Sequence, residues 1–130
     1  MSSDYILVTG GAGYIGAQAC KAIKQIGLIP VSFDNLNTGW KDAVKFGPFE
    51  HGDLLNKSDI DRVLDKYNPV GVMHFAALAQ VAESMYFPGL YWENNVLGSL
   101  NLIQSTVDHD CKNFVFLQLA QHTGIKTMSS

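Results

Sequence analysis

The stretch 4–27, DYILVTGGAGYIGAQACKAIKQIG, decides the fold. Its first part, Tyr5 to Val8, is a β-branched and aromatic run long enough for a buried strand. Its last part, Ile15 to Ile26, carries apolar residues three or four positions apart, the spacing of one helical face. A glycine-rich turn joins the two parts. The glycines therefore lie where a strand ends and a helix begins, the setting in which such a turn binds an anion.

The glycine spacing is a variant of a dinucleotide-binding fingerprint. Gly10 permits the tight turn, Gly13 lets the backbone approach a pyrophosphate, and Gly16 lets the helix lie close to its strand. This pattern alone is weak, since a glycine-rich loop without a chemical role is the alternative. Asp34 strengthens it, because this acid ends the predicted strand Ile29–Phe33. A carboxylate at that position accepts hydrogen bonds from an adenosine ribose and repels a 2′-phosphate, which predicts NAD rather than NADP.

Composition narrows the class of protein. The chain has 130 residues, 47% of them hydrophobic and 16% charged, as expected of one soluble globular domain but short for a complete enzyme of this kind. A net charge of −3 without a basic stripe argues against nucleic acid as a partner, and no apolar run reaches membrane-spanning length. We find no signal peptide and two isolated cysteines, Cys20 and Cys111, which predict a cytoplasmic protein. His51, His109 and His122 have no metal-ligand spacing, so no metal site is predicted.

The rest of the chain alternates between strand and helix patterns. Further strands are predicted at 49–53, 70–75 and 113–117, and helices at 58–67 and 88–109. For the long helix we expect a buried face formed by Val96, Leu100, Ile103 and Val107. Such alternation predicts an α/β fold, a Rossmann-type doubly wound parallel sheet with strand order 3-2-1-4-5. The ligand is expected at the carboxyl ends of the strands, where strands one and four diverge.

Six segments carry a resemblance to a known family: LVTGGAGYIGA, FDNLNTG, HGDL, MHFAALAQVAES, WENNVLGSLNLI and NFVF. In this order and spacing the chain resembles the extended short-chain dehydrogenase/reductases, and within them the UDP-glucose 4-epimerases. The resemblance implies bound NAD, a UDP-sugar substrate and interconversion of UDP-glucose and UDP-galactose. It also implies a tyrosine, with a lysine four residues later, that takes the proton from the sugar 4-hydroxyl while hydride passes to NAD.

The resemblance also implies which residues contact the cofactor. The pyrophosphate turn of the family corresponds to Gly10, Gly13, Tyr14, Ile15 and Gly16. The contacts with the adenosine ribose correspond to Asp34 and Asn35, and the surroundings of the adenine to Asp53 and Leu54. The turn after strand four corresponds to Phe75, Ala76, Ala77 and Leu78, and an asparagine on the cofactor side of the long helix to Asn94.

Structural roles stay open for several of these residues. Asp53 could simply cap the helix that follows it, and Asn94 could be a satisfied polar group on its helix. We interpret His74, at the end of an apolar strand, as a packed histidine rather than a catalyst. Ala79 stands where these epimerases commonly have a lysine, so one cationic contact with the cofactor is expected to be missing.

Beyond Phe116 the resemblance stops. We therefore divide the chain into an incomplete NAD-binding domain, residues 1–117, and a non-family tail, residues 118–130. None of the five tyrosines has a lysine four positions later. The resemblance thus assigns no catalytic residue to this chain, which is predicted to be inactive as it stands.

A frameshift is our hypothesis for the altered tail. A coding segment for F-S-S-T-C-A-T-Y-G, which satisfies the pattern of the family, reads F-L-Q-L-A-Q-H-T-G after loss of one T, as at Phe116–Gly124. Sequencing of the coding DNA tests this hypothesis. Without a sixth parallel strand, strand five is expected to be an exposed apolar edge. We therefore predict a homo-oligomer, formed through that edge or through the long helix, which the family commonly uses for dimers.

Two other functions stay open at this point. One is a different NAD-dependent sugar-nucleotide epimerase or dehydratase, against which the HFAALAQVAES segment argues only moderately. The other is a non-catalytic NAD-binding module.

Overall fold

A computed structural model describes residues 4–10, 14–35, 44–75, 88–119 and 125–129 of the chain. One sheet contains the strands β1 (Tyr5–Thr9), β2 (Ile29–Asp34), β3 (Phe49–His51), β4 (Gly71–His74), β5 (Phe114–Leu119) and β6 (Ile125–Ser129). Their order is β3-β2-β1-β4-β5-β6, and the pairs among the first five are all parallel. The predicted order 3-2-1-4-5 of a Rossmann-type doubly wound sheet is confirmed.

Three helices are described: α1 (Tyr14–Gln25), α2 (Lys57–Tyr67) and α3 (Pro88–Asp108). The bounds of α2 follow from its end residues. The Asn56 side chain accepts a hydrogen bond from the Ser58 N–H, and Asn68 adopts the left-handed conformation with φ 45° while its own N–H bonds the Leu64 carbonyl. Pro69 then prevents the helix from continuing. Among these helices, none is long and apolar enough to cross a bilayer.

The hydrophobic core lies on both faces of the sheet. On one face, Leu7, Phe33 and Val72 of the strands pack with Ile60, Val63 and Leu64 of α2 and Leu102 of α3. On the other face, Val8 and Phe75 pack with Cys20 and Ile23 of α1. Ile26 follows the last residue of α1, Gln25, and is 73% exposed at the border of an open apolar groove of about 240 Å³.

The predicted buried face of α3 is wrong. Val96, Leu100, Ile103 and Val107 are between 44% and 67% exposed. The helix instead buries smaller and more polar positions together with one leucine, namely Gly98, Leu102, Ser105 and Thr106. The small side chain allows close packing: a Cβ atom on Gly98 would lie 3.1 Å from Leu54 Cβ. The stripe of large apolar side chains on α3 therefore points away from the core.

The expectation that β5 forms a sheet edge is also wrong. β6 pairs with β5 in antiparallel fashion, from Leu119 opposite Ile125 to Val115 opposite Ser129. An outer antiparallel strand does not need the continuous apolar run of a buried parallel strand, and the sequence IKTMS of β6 has no such run. The sequence pattern therefore did not predict β6. The two outer strands of the described sheet are β3 and β6.

The outer strand β3 is joined to α2 by one buried carboxylate. Glu50 accepts hydrogen bonds from Arg62 Nη1 at 2.7 Å, Lys66 Nζ at 2.9 Å and Tyr67 Oη at 2.7 Å. Burial alone would raise the pKa of Glu50, but the hydrogen bonds from Tyr67, Lys66 and Arg62 lower it to about 2. This group of four side chains, the Glu50 cluster, fixes a strand that has only three residues.

Candidate nucleotide site at the carboxyl ends of the strands

The carboxyl ends of the parallel strands lie side by side in register. Thr9 of β1 is opposite Phe33 of β2 and His74 of β4, and Asp34 is opposite His51 of β3. In an open α/β sheet this edge is where ligands bind, at the point where the chain leaves in opposite directions from adjacent strands. Here that point lies between β1, which is followed by α1, and β4, which is followed by α3.

A glycine in the left-handed conformation begins the turn after β1. Gly10 has φ 75°, a region that residues with a side chain rarely adopt, and its N–H bonds the Phe33 carbonyl at 2.8 Å. The first turn of α1 begins four residues later and carries no acidic side chain. The positive end of this helix dipole is therefore not neutralised by its own first turn. Gly16 is buried and Ile15 half-buried within the same helix.

The residues predicted around the adenosine lie at the ends of β2 and β3. Asp34 and Asn35 are half-buried, and the Gly52 N–H bonds the Asp34 carbonyl at 3.2 Å, which brings Asp53 next to the end of β2. Asp53 does not cap α2, whose cap is Asn56. Its carboxylate instead accepts a hydrogen bond from the Leu55 N–H at 2.9 Å.

A buried polar contact joins β1 to β4 at the same edge. Thr9 Oγ1 lies 2.6 Å from His74 Nδ1, and the Phe75 N–H bonds both the Thr9 carbonyl, at 2.9 Å, and Thr9 Oγ1, at 3.2 Å. Burial lowers the pKa of His74 to about 4, so its ring is neutral at pH 7. This contact agrees with our interpretation of His74 as a packed histidine.

The structure thus brings together the segments that carry five of the predicted residues: Gly10, Asp34, Asn35, Asp53 and Phe75. Leu54 is half-buried and next to them in sequence. Tyr14 is the first residue of α1, and Asn94 lies within α3. The predicted residues Gly13, Ala76, Ala77 and Leu78 lie outside the described residues.

Sequence reasoning missed the polar residues that hold these segments. Ser99 Oγ lies 3.1 Å from His74 Nε2, and Asn101 Nδ2 donates to the Leu54 carbonyl at 2.9 Å. The sequence feature that could have indicated them is their position: Ser99 and Asn101 lie on the side of α3 that contains Gly98, away from its apolar stripe. Among the described residues, no group of His, Cys, Asp and Glu could hold a metal ion.

In chemical terms the edge combines peptide N–H groups near a helix amino terminus with a carboxylate one strand away. N–H groups and a positive helix end suit a diphosphate, and a carboxylate suits the vicinal hydroxyls of a ribose. This set of groups fits an adenine dinucleotide.

Comparison with known proteins gives one family. Residues 6–122 match the model of the NAD dependent epimerase/dehydratase family. A curated UDP-glucose 4-epimerase from Rhizobium leguminosarum bv. trifolii is 41% identical over 116 residues, which are 89% of this chain and 36% of the relative. A UDP-glucose 4-epimerase from Rhizobium meliloti is 40% identical over 116 residues, 89% of this chain and 35% of the relative.

Solved structures of similar proteins share the fold. The UDP-glucose 4-epimerase from Brucella ovis in complex with NAD superposes with a TM-score of 0.82 at 40% identity, over 88% of this chain and 35% of that one. The enzyme from Thermus thermophilus, also in complex with NAD, gives a TM-score of 0.79 at 36% identity, over 85% of this chain and 36% of that one. The chain spans about a third of the length of these relatives.

Proposed function

Because the chain belongs to the NAD dependent epimerase/dehydratase family, we propose that it binds NAD at the carboxyl ends of β1, β2 and β4. The observation that supports this most directly is the left-handed Gly10 at the end of β1, next to the strand that ends in Asp34. The N–H groups at the start of α1 would face the pyrophosphate, and Asp34 with Asn35 would face the adenosine ribose. Bound NAD supplies a hydride acceptor and donor.

The test is titration of the chain with NAD, followed by calorimetry or by nicotinamide fluorescence with NADH. Replacing Asp34 by alanine removes the acceptor of the ribose hydroxyls, and we expect NAD to bind about tenfold to a hundredfold more weakly, the value of one to two charge-assisted hydrogen bonds. Asp34→Ala should also reduce the discrimination against NADP. The control is Asp4→Ala, which removes an exposed carboxylate before β1. Equal NAD affinity of the Asp34→Ala variant and the unchanged chain would contradict the proposal.

For the reaction we propose that this sequence derives from the UDP-glucose 4-epimerases and that its 130 residues do not perform the epimerisation alone. The support is the identity of 41% and 40% with curated UDP-glucose 4-epimerases, together with the sequence after Phe116, which contains no tyrosine. A sugar hydroxyl transfers its proton poorly unless a base with a suitable pKa lies within hydrogen-bonding distance. In this chain no tyrosine has the lysine four positions later whose charge would lower its pKa.

An NADH-coupled assay with UDP-galactose tests this second proposal. We expect no turnover by the chain above the buffer blank, while a full-length relative assayed beside it is active. Turnover by the purified chain would show that another group acts as the base. A non-catalytic NAD-binding module would give the same assay result as a frameshifted epimerase. Sequencing of the coding DNA separates these two alternatives, because a frameshifted epimerase gene contains the Y-x-x-x-K pair in another reading frame.

We further propose that two copies of the chain associate through α3. Val96, Leu97, Leu100, Ile103 and Val107 are exposed and uncharged, so a second copy related by a two-fold axis would present the same apolar stripe in return. Light scattering should find dimers that Leu100→Glu disrupts, whereas Ala22→Glu on the exposed side of α1 leaves them intact. A monomer at high concentration would contradict this.

A further inference from the structure

Three residues of α3, namely Gly98, Ser99 and Asn101, contact both ends of the proposed nucleotide crevice. At one end, Ser99 Oγ lies 3.1 Å from His74 Nε2, and His74 Nδ1 lies 2.6 Å from Thr9 Oγ1. His74 and Thr9 are 1% and 0% exposed, so water does not compete for the contact between them. Ser99, His74 and Thr9 form a continuous polar chain from the helix to the residue that precedes Gly10.

One arrangement of the protons satisfies all the contacts of this chain. Thr9 Oγ1 accepts the Phe75 N–H at 3.2 Å and can donate its own proton to His74 Nδ1. The neutral ring then carries its proton on Nε2 and donates it to Ser99 Oγ. The Thr9 hydroxyl thereby binds the backbone of Phe75, and the two residues that lead into the predicted turns after β1 and β4 are held at one separation.

At the other end of the crevice, α3 holds the loop after β3. Asn101 Nδ2 donates to the Leu54 carbonyl at 2.9 Å, and Gly98 packs so closely that a Cβ atom there would lie 3.1 Å from Leu54 Cβ. Leu54 follows Asp53, next to the end of β2. Ser99 and Asn101 therefore fix two separate loops to a single rigid helix.

We propose that Ser99 and Asn101 are positioning residues for nucleotide binding: Ser99 fixes the pyrophosphate end of the site through His74 and Thr9, and Asn101 fixes the adenine end through the Leu54 backbone. Neither side chain has to touch the nucleotide. This inference rests on the proposed NAD binding. It predicts that α3, a helix outside the glycine turn, sets the spacing between the pyrophosphate end and the adenine end of the site. When either contact of α3 is lost, a loop has to be ordered as the nucleotide binds, and this ordering weakens the affinity.

The experiment compares NAD dissociation constants of folded variants by calorimetry. Ser99→Ala, Thr9→Val and Asn101→Ala are each expected to weaken NAD binding about threefold to tenfold, the range of one lost hydrogen bond. Thr9→Ser keeps the hydroxyl and should bind as the unchanged chain does. Gln104→Ala, an exposed position on the same helix, is the matched control.

Double variants show whether the two contacts are separate. Ser99→Ala combined with Thr9→Val should bind NAD no more weakly than either single variant, because both interrupt the same chain of hydrogen bonds. Ser99→Ala combined with Asn101→Ala should show the product of the two single effects, because these contacts hold different loops.

Thermal unfolding without NAD distinguishes positioning from a purely structural role. If the variants unfold at lower temperatures but bind NAD normally while folded, the positioning role is overturned and the NAD site stands. If the unchanged chain fails to bind NAD at millimolar concentration, the proposed function falls and this inference falls with it.

Discussion

Replacing Glu50 by alanine is expected to destabilise the chain by about 2 kcal/mol, between the values of exposed and fully buried ion pairs. The side chain of Glu50 is 11% exposed and accepts three hydrogen bonds, whereas Arg62 and Lys66 are 46% and 59% exposed and can turn to water when it is lost. The cost arises mainly from the half-buried Tyr67 hydroxyl and from the lost connection between β3 and α2.

Chemical denaturation monitored by circular dichroism measures this effect. Glu50→Gln keeps the shape and part of the hydrogen bonding, so its loss of stability should be smaller than that of Glu50→Ala. Asp4→Ala is the control for removing a negative charge at an exposed position. A stability of Glu50→Ala within the error of the unchanged chain would show that the Glu50 cluster contributes nothing.

The pH dependence of stability separates Glu50 from His74. The pKa of Glu50 is lowered from 4.5 to about 2, so the unfolded chain binds this proton first as the pH falls, and stability is lost between about pH 4.5 and pH 2. The pKa of His74 is lowered from 6.5 to about 4, which has the same sign and removes stability between pH 6.5 and pH 4. Glu50→Gln should flatten only the lower of these two windows.

Gly52→Ala is the second change with a large expected effect, about 2–3 kcal/mol of stability, as for overpacking of a core. A Cβ atom at Gly52 would lie 2.5 Å from Phe33 Cε2 and 2.7 Å from Phe33 Cζ. Because the Phe33 ring is 2% exposed and enclosed by core side chains, it cannot move aside without opening a cavity. The backbone at Gly52 must shift instead.

That shift would also reach the candidate site. The Gly52 N–H bonds the Asp34 carbonyl, so displacement of residue 52 moves Asp53 away from the end of β2. We therefore expect Gly52→Ala to weaken NAD binding as well as to lower the unfolding temperature. Adding Phe33→Leu, which makes room for the new methyl group, should recover part of both losses.

Gly27→Ala serves as a comparison, because no atom lies within 4 Å of a Cβ there and only its left-handed φ of 90° opposes the change. Normal stability and NAD affinity of Gly52→Ala would contradict the close packing.

The sheet and the location of the site follow from local patterns in the sequence. β1 and β4 are short apolar runs, β2 is apolar except for Ser32, and each strand ends in a polar residue, which is the pattern of a buried parallel sheet. Asp34 could be found because its position is fixed by the end of β2. These features need no knowledge of distant contacts.

The predictions fail for α3, because the spacing of apolar side chains along a helix does not show whether that face packs against the core. The α3 stripe from Val96 to Val107 has the spacing of a buried face, yet the helix packs through Gly98 and Asn101, since short side chains let it approach the loop after β3. The contact between Ser99 and His74 joins residues 25 positions apart, and that between Thr9 and His74 residues 65 apart. Only the folded chain brings such pairs together.

The reversed direction of β6 has a practical consequence for binding measurements. Its last residue, Ser129, lies opposite Val115, which is itself opposite Met73, one residue before His74 at the carboxyl end of β4. At about 3.4 Å per residue and about 4.8 Å between neighbouring strands, Ser129 is therefore roughly 10 Å away from the nucleotide edge at His74. A biotin or fluorescent label attached there would crowd the crevice, so the chain should be immobilised at the opposite edge of the sheet, for example through the exposed Lys24 in the last turn of α1.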